Sequence, residues 1–241
     1  GLDHIDLELC NKNCVKVYHL NGENAFLNGI TSTAELTIAL MLSFVRYINQ
    51  ASEAVLRKEW DFDNFRGREL QDKTIGIVGL GRLGNIVAGI CSAMLMNVVF
   101  YDVDPNRQFK KGIRKNSLED LLKISDFVTL HIPLNEDTFH LISHRQLNLM
   151  KISSILINTS RGAIIDSKAL YDALITKQIS GAALDVVENE PMIQEESNIL
   201  IEYAKKNKNL LITPHIGGST MEAVAKTDMF VLNKFFENYI C

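Results

Sequence analysis

The chain has 241 residues, 46% of them hydrophobic, enough to bury a sizeable core as one large domain or two small ones. Twenty-five basic residues stand against 29 acidic ones, for a net charge of -4, and no long basic block occurs, so a nucleic-acid partner is not suggested. No apolar run is read as a membrane span: 38–45 is too short and runs on into Arg46 and Lys58.

In chain order, residues 15–18 read as a short strand, and 21–29, with Gly22 and Gly29, as a loop. From Thr33 to about Arg57, apolar residues recur at helical spacing (Leu36, Ala39, Leu40, Tyr47, Ile48, Val55), with Thr31 or Ser32 as the cap. Residues 60–70 are polar and irregular. Strands and helices then alternate. Strands are predicted at 74–79, 97–102, 126–131, 153–158, 181–186 and 209–213. Helices are predicted at 82–95, 117–123, 143–150, 167–177 and 219–240. Apolar strands alternating with helices imply α/β architecture, a doubly wound parallel sheet covered on both faces.

The first of these strands runs into Gly79-Leu80-Gly81-Arg82-Leu83-Gly84, and Asp102 ends the next one. A Gly-x-Gly-x-x-Gly between strand and helix, followed about 20 residues later by an acid, is the dinucleotide-binding fingerprint in its required context. Gly79 permits the tight turn, Gly81 removes a Cβ where a pyrophosphate approaches, and Gly84 lets the helix pack close to its strand. The phosphates are expected at the positive end of the helix beginning near Arg82.

Ligands of such sheets sit beyond the carboxyl ends of the strands. Those ends carry His131-Ile-Pro133, then Asn158-Thr159-Ser160-Arg161-Gly162, then Asp185 through Glu188, Glu190 and Pro191, then Thr213-Pro214-His215-Ile216-Gly217-Gly218. An arginine, carboxylates and a histidine therefore converge on one edge. That set suits a 2-hydroxy acid oxidoreductase: a cation to hold the substrate carboxylate and polarise its carbonyl, a histidine to give and take the alcohol proton, and a carboxylate to orient that histidine. Cys10 and Cys14 resemble a metal half-site, but no second Cys/His pair completes it, and no metal is expected. With Cys91 and Cys241 they read as free thiols of a reducing cytoplasm, and no secretory signal is read.

These motifs, with Gly1-Leu-Asp-His-Ile-Asp6 and Ala34-Glu35-Leu-Thr37, make the chain resemble the D-isomer-specific 2-hydroxyacid dehydrogenases over nearly its whole length. The resemblance implies Arg161 as catalytic arginine, Glu190 as its acid, in preference to Glu188, and His215 as general acid/base. It implies NAD as cofactor, with Asp102 on the adenosine ribose and Asp185 on the nicotinamide carboxamide. Gly79, Gly81, Arg82, Leu83, Gly84, His131, Pro133, Thr159 and Gly217 complete the cofactor shell. A carboxylate at 102 favours NAD over NADP, and Arg107 keeps NADP in view. His4 and His140 are read as structural, His19 and His144 as loop or surface residues.

The expected domains are 1–27, a remnant of a flavodoxin-like substrate domain; 28–217, a Rossmann NAD-binding domain whose helix about 33–57 is a dimer arm; and 218–241, a helix returning to the substrate domain. In the family the Gly-Leu-Asp-x-Ile-Asp motif falls inside the substrate domain, so the opening part of that domain is expected to be missing here. The loop after His19 is longer than in many relatives and borders the substrate side. The expected activity is interconversion of a D-2-hydroxy acid and its 2-keto acid, in a cytoplasmic homodimer. The alternative is an NADH-sensing, corepressor-like regulator of the same superfamily.

Overall fold

The computed structural model describes residues 5–190 and 198–239; His4, Pro191 and Cys241, named above, lie outside them. The chain divides into two units: Thr33–Gly217, and Gly1–Ser32 together with Gly218–Cys241.

The smaller unit joins the two ends of the chain. It holds α1 (Leu7–Lys12), α2 (Asn24–Leu27) and α10 (Met221–Tyr239). Asp6 caps α1 by accepting the Leu9 N–H at 2.8 Å. Phe26 stacks on Phe230 with ring centroids 4.1 Å apart, and Tyr18 meets Phe235 edge-on at 5.5 Å. Lys234 pairs with Glu23. The strand expected at 15–18 does not form. Among the described residues this unit has no strand to pair with, and an isolated strand leaves its backbone groups unpaired.

The larger unit is a seven-stranded sheet: β1 (Thr74–Val78), β2 (Asn97–Tyr101), β3 (Gly112–Arg114), β4 (Phe127–Leu130), β5 (Ile155–Asn158), β6 (Gly181–Leu184) and β7 (Leu210–Ile212). Every pairing is parallel, in the order β3-β2-β1-β4-β5-β6-β7. Alternation along the strands feeds two cores. Ile75, Ile77, Val98, Phe100, Ile155 and Ile157 pack with α3 (Ser32–Val45) and α5 (Arg82–Ala93). Val78, Val99, Val128, Leu130, Leu156 and Leu184 pack under α6 (Leu118–Ile124), α7 (His144–Leu147), α8 (Ser167–Ile175) and α9 (Ile199–Ala204). Each fully buried Leu or Ile is worth about 1.5–3 kcal/mol, so the central strands are the most strongly held part of this unit. The six expected strands and their helices form, with ends shifted by at most three residues.

Four differences have physical causes. The helix expected over 33–57 is two helices, α3 and α4 (Ile48–Leu56), because Tyr47 adopts a left-handed conformation (φ 54°) and Arg68 returns its N–H to the Val45 carbonyl at 3.1 Å. Residues 24–45, which the sequence reading did not single out as a span, are long and apolar enough to cross a membrane by length and composition alone, with a mean hydropathy of 1.3 over an 18-residue window, a weak signal that a buried core helix gives equally. The stretch is nonetheless broken between α2 and α3, and Ala34, Leu40 and Met41 of α3 are buried in the core. Strand β3 escapes a hydropathy reading because it is a three-residue edge strand whose Ile113 is 64% exposed. Helix α9 is nucleated by Asn198, which accepts the Leu200 and Ile201 N–H groups.

Candidate active site

The sheet order reverses between β1 and β4. Chains leaving these two strands part to opposite sides, which opens a crevice at their carboxyl ends. Gly79 lines it. At φ 88° it occupies backbone space that L side chains rarely enter, and a Cβ there would stand 2.5 Å from the His131 carbonyl oxygen. A Cβ on Gly84 would lie 2.1 Å from the Gly79 carbonyl oxygen, so the first turn of α5 sits directly on the loop. A Cβ on Gly81 would meet nothing within 4 Å. Gly81 is also the N-cap of α5 and offers no side chain to its first-turn N–H groups. An uncapped helix N-terminus facing open space fits a dinucleotide pyrophosphate. Leu83 anchors the same turn in the α3/α5 core. Arg82 is partly buried, and burial pulls its guanidinium below the usual arginine range.

Asp102 closes this end of the crevice. One carboxylate oxygen accepts the Leu80 N–H at 2.6 Å and the other accepts the Asp104 N–H at 2.8 Å. Each oxygen can accept a second bond, so ribose hydroxyls have somewhere to go. Two neighbours shape the turn. Arg107 pairs with Asp104 at 3.2 Å, and Arg114, unremarked in the sequence, donates to the carbonyls of Asp102, Asp104 and Arg107. Its signal was hidden with β3, the strand that carries it.

The His131 Nε2 lies 3.0 Å from the Thr129 hydroxyl, and its Nδ1 is buried without a protein partner. Burial pulls the imidazole down to about 4, so the ring is neutral near pH 7. Pro133 anchors the following turn by accepting the Thr138 hydroxyl at 2.7 Å.

Beyond β5, buried Asn158 shapes the arginine turn. Its amide donates to the Arg161 carbonyl at 2.8 Å and its oxygen accepts the Ser160 N–H. Thr159 shares a 2.9 Å hydrogen bond with Thr37 of α3. Arg161 donates to the Ser160 carbonyl at 2.7 Å.

Beyond β6, Asp185 is 1% exposed and its carboxylate accepts three donors: the Thr213 hydroxyl at 2.6 Å, the Ile216 N–H at 2.9 Å and the Gly217 N–H at 2.8 Å. The Asp185 carbonyl accepts the His215 N–H at 2.8 Å. Asp185 thus fixes the loop that holds His215 in a left-handed conformation (φ 54°). The His215 Nδ1 stands 2.5 Å from the Glu190 Oε1, while His140 takes Glu188, also at 2.5 Å. The two acids are therefore sorted, one to each histidine. What sequence could not supply was the second pairing, whose partners are 48 residues apart.

A parallel sheet with a glycine turn at its reversal point and an acid at the end of the neighbouring strand defines a Rossmann dinucleotide-binding domain. The family described as "D-isomer specific 2-hydroxyacid dehydrogenase, NAD binding domain" matches residues 38–217. A D-3-phosphoglycerate dehydrogenase of Methanocaldococcus jannaschii is 39% identical over 226 residues, covering 92% of this chain and 41% of that protein. A glyoxylate reductase of Thermococcus litoralis is 39% identical over 232 residues, 92% of this chain and 66% of the relative. Among solved structures, the Aquifex aeolicus D-lactate dehydrogenase complexed with NAD and lactic acid superposes with a TM-score of 0.85 and 32% identity, over 100% of this chain and 74% of that one. The chain belongs to the D-isomer-specific 2-hydroxyacid dehydrogenase family, and its larger unit is an NAD-binding domain. It spans about two fifths of the length of the phosphoglycerate dehydrogenase it matches.

Proposed function

We propose that the protein containing this chain interconverts a D-2-hydroxy acid and its 2-keto acid with NAD(H). The observation that carries the reading is the 2.5 Å contact between His215 and Glu190 at the same sheet edge as the glycine turn and Arg161. A bound nicotinamide supplies the hydride in the reductive direction. The remaining tasks fall to side chains. Arg161 binds the substrate carboxylate and draws electron density from its carbonyl. His215 delivers a proton from Nε2 to the forming alkoxide oxygen, since Nδ1 faces Glu190. Glu190 fixes the ring's orientation and stabilises its cationic form. Asp185 holds the histidine loop from beneath, and its role toward a nicotinamide carboxamide is part of this proposal.

Three companion readings belong with it. Asp102 selects NAD over NADP by repelling a 2′-phosphate. The smaller unit is the portion of a substrate domain carried by this chain. Two copies pair through α3, α4 and the segment after them, where Ile48, Val55, Leu56, Trp60 and Phe62 are 48 to 85% exposed. Sedimentation of the intact protein at micromolar concentration reads the last directly, a monomeric mass counting against it.

The test of the activity is NADH oxidation by intact protein across a panel of 2-keto acids. Turnover with at least one, giving the D-hydroxy acid, is expected. Tight NADH binding with no turnover on any member would instead favour a nucleotide-sensing role.

A further inference from the structure

The His140–Glu188 pair lies outside the set of residues that would touch cofactor or substrate, yet it stands between two segments that do. We propose that His140 and Glu188 are positioning residues, a clamp that fixes the Glu190 segment against the Arg161 segment and so sets the acid under His215. The proposal rests on the Arg161, Glu190 and His215 assignment above.

Bonds on both sides carry it. His140 is tied to the arginine side through its backbone: its N–H donates to the Ala163 carbonyl at 2.8 Å, and Ile142 donates to the Ile164 carbonyl at 3.0 Å. Its ring, stacked on Phe139, reaches Glu188 Oε1 at 2.5 Å. The other oxygen of Glu188 accepts the Ser167 N–H at 3.0 Å, at the start of α8. Glu188 is thus bonded twice to the stretch 140–167 that surrounds Arg161. Its carbonyl accepts the Asn198 amide at 3.3 Å, which secures the segment's far side.

The backbones confirm how closely these segments meet. A Cβ on Gly162, next to Arg161, would lie 2.0 Å from the Val187 carbonyl carbon and 2.5 Å from the Glu188 nitrogen. Only a residue without a side chain allows this approach, and the His140–Glu188 bond stands beside it. From Glu188 the chain turns through Asn189, left-handed at φ 54°, and presents Glu190 to His215. A single residue, Asn189, therefore separates the clamped Glu188 from the acid that meets His215, too little chain for Glu190 to be placed independently of Glu188.

The groups facing the pair are few. Glu188 meets His140 and Ser167, and His144, on the element after His140, is directed to Asp172 at 3.7 Å instead. Burial pushes the Glu188 carboxyl up, but the hydrogen bonds from His140 and Ser167 outweigh it and hold it below the usual range.

The experiment compares Glu188→Ala, Glu188→Gln and His140→Asn in the intact protein. Asparagine tolerates the left-handed backbone at 140 (φ 49°) but cannot reach Glu188. Expected for Glu188→Ala and His140→Asn is a fall in kcat of about ten- to a hundredfold, since a small misplacement of a reacting group costs that much. NADH affinity should stay within about twofold, because the pair makes no contact with the glycine turn. Glu188→Gln keeps one acceptor oxygen for the Ser167 N–H and turns its amide NH₂ toward the His140 Nε2, which accepts in the Nδ1-protonated tautomer, and should recover most of the rate. On a Glu190→Gln background, Glu188→Ala should cost little more, the non-additivity expected of residues acting through one another. Hydrogen exchange of peptides over 161–167 and 185–190 should quicken about tenfold in the two disruptive variants and nowhere else. Additive losses, or a kcat unchanged in both disruptive variants, would overturn the proposal. If the wild-type protein turns over no 2-keto acid, the functional reading fails by itself, and exchange unchanged at both segments then overturns the clamp separately.

Discussion

The two halves of the sheet edge hold their ligand-facing groups by opposite means. Around β1, β2 and β4 the turn is shaped by missing atoms: Gly79 and Gly84 let backbone meet backbone, and Gly81 leaves open space at a helix N-terminus. Around β5, β6 and β7 the turns are shaped by buried polar side chains, Asn158 under the arginine turn and Asp185 under the histidine loop. The first half suits a ligand bound mainly through backbone N–H groups and the helix dipole. The second suits chemistry that needs individual side chains held in one orientation. The contrast predicts that adding an atom does most harm in the first half and removing a charge does most harm in the second.

The largest effect on stability is expected from Asp185→Asn. The buried carboxylate accepts three donors, and an amide NH₂ placed against the Gly217 N–H leaves two donors facing each other. A loss of about 3 kcal/mol is expected in urea unfolding, with the catalytic rate falling further as the His215 loop loosens. Next comes Gly84→Ala, whose added Cβ must push the helix off the Gly79 carbonyl. Overpacking of this kind costs about 1–3 kcal/mol, and NADH titration by fluorescence should show weakened binding while any bound fraction still turns over. If Gly84→Ala left NADH affinity intact and Asp185→Asn left stability intact, the contrast between the halves would be wrong.

A third test uses pH. His131 is held neutral with its titration pulled from 6.5 to about 4 by burial. The unfolded chain therefore binds a proton between those values that the folded one refuses, and stability falls as pH drops from about 6.5 toward 4. Between pH 7 and pH 5 this amounts to about 2 kcal/mol. His131→Gln should flatten that slope, and urea unfolding at the two pH values reads it. An equal slope in the variant would show that the ring is protonated in the folded state. The smallest effect is expected at Asp102. Asp102→Asn should narrow the preference for NADH over NADPH by about five- to a hundredfold, the 1–3 kcal/mol range of a contact involving a charge. Equal affinity for both cofactors in the unmodified protein would remove the role assigned to this carboxylate.

The same contrast explains what the sequence made legible. Gly79, Gly81 and Gly84 fall within six residues, so the nucleotide half announces itself as a local motif. The parallel sheet was legible from apolar strands alternating with helices. The supports of the second half were not, because they pair across long stretches of chain: Thr37 with Thr159, Asp185 with Thr213 and Ile216, His140 with Glu188. His215 and Glu190 were named through the family pattern, and His140 was read as structural without its partner. Strand β3 and Arg114 were missed together, since a short edge strand among lysines carries no hydropathy signal. The break at Tyr47 was missed because the cause lies at Arg68, outside the helix it ends.

The central claim is that His215, paired with Glu190, moves the substrate proton in an NAD-dependent reduction of a 2-keto acid. The most direct measurement is the turnover number of His215→Gln beside wild type on the best 2-keto acid of the panel, with NADH affinity determined on the same samples. A general acid contributes about 10²–10⁴-fold, so the account predicts a fall of that size in kcat with NADH binding unchanged. Wild-type turnover in His215→Gln would contradict it.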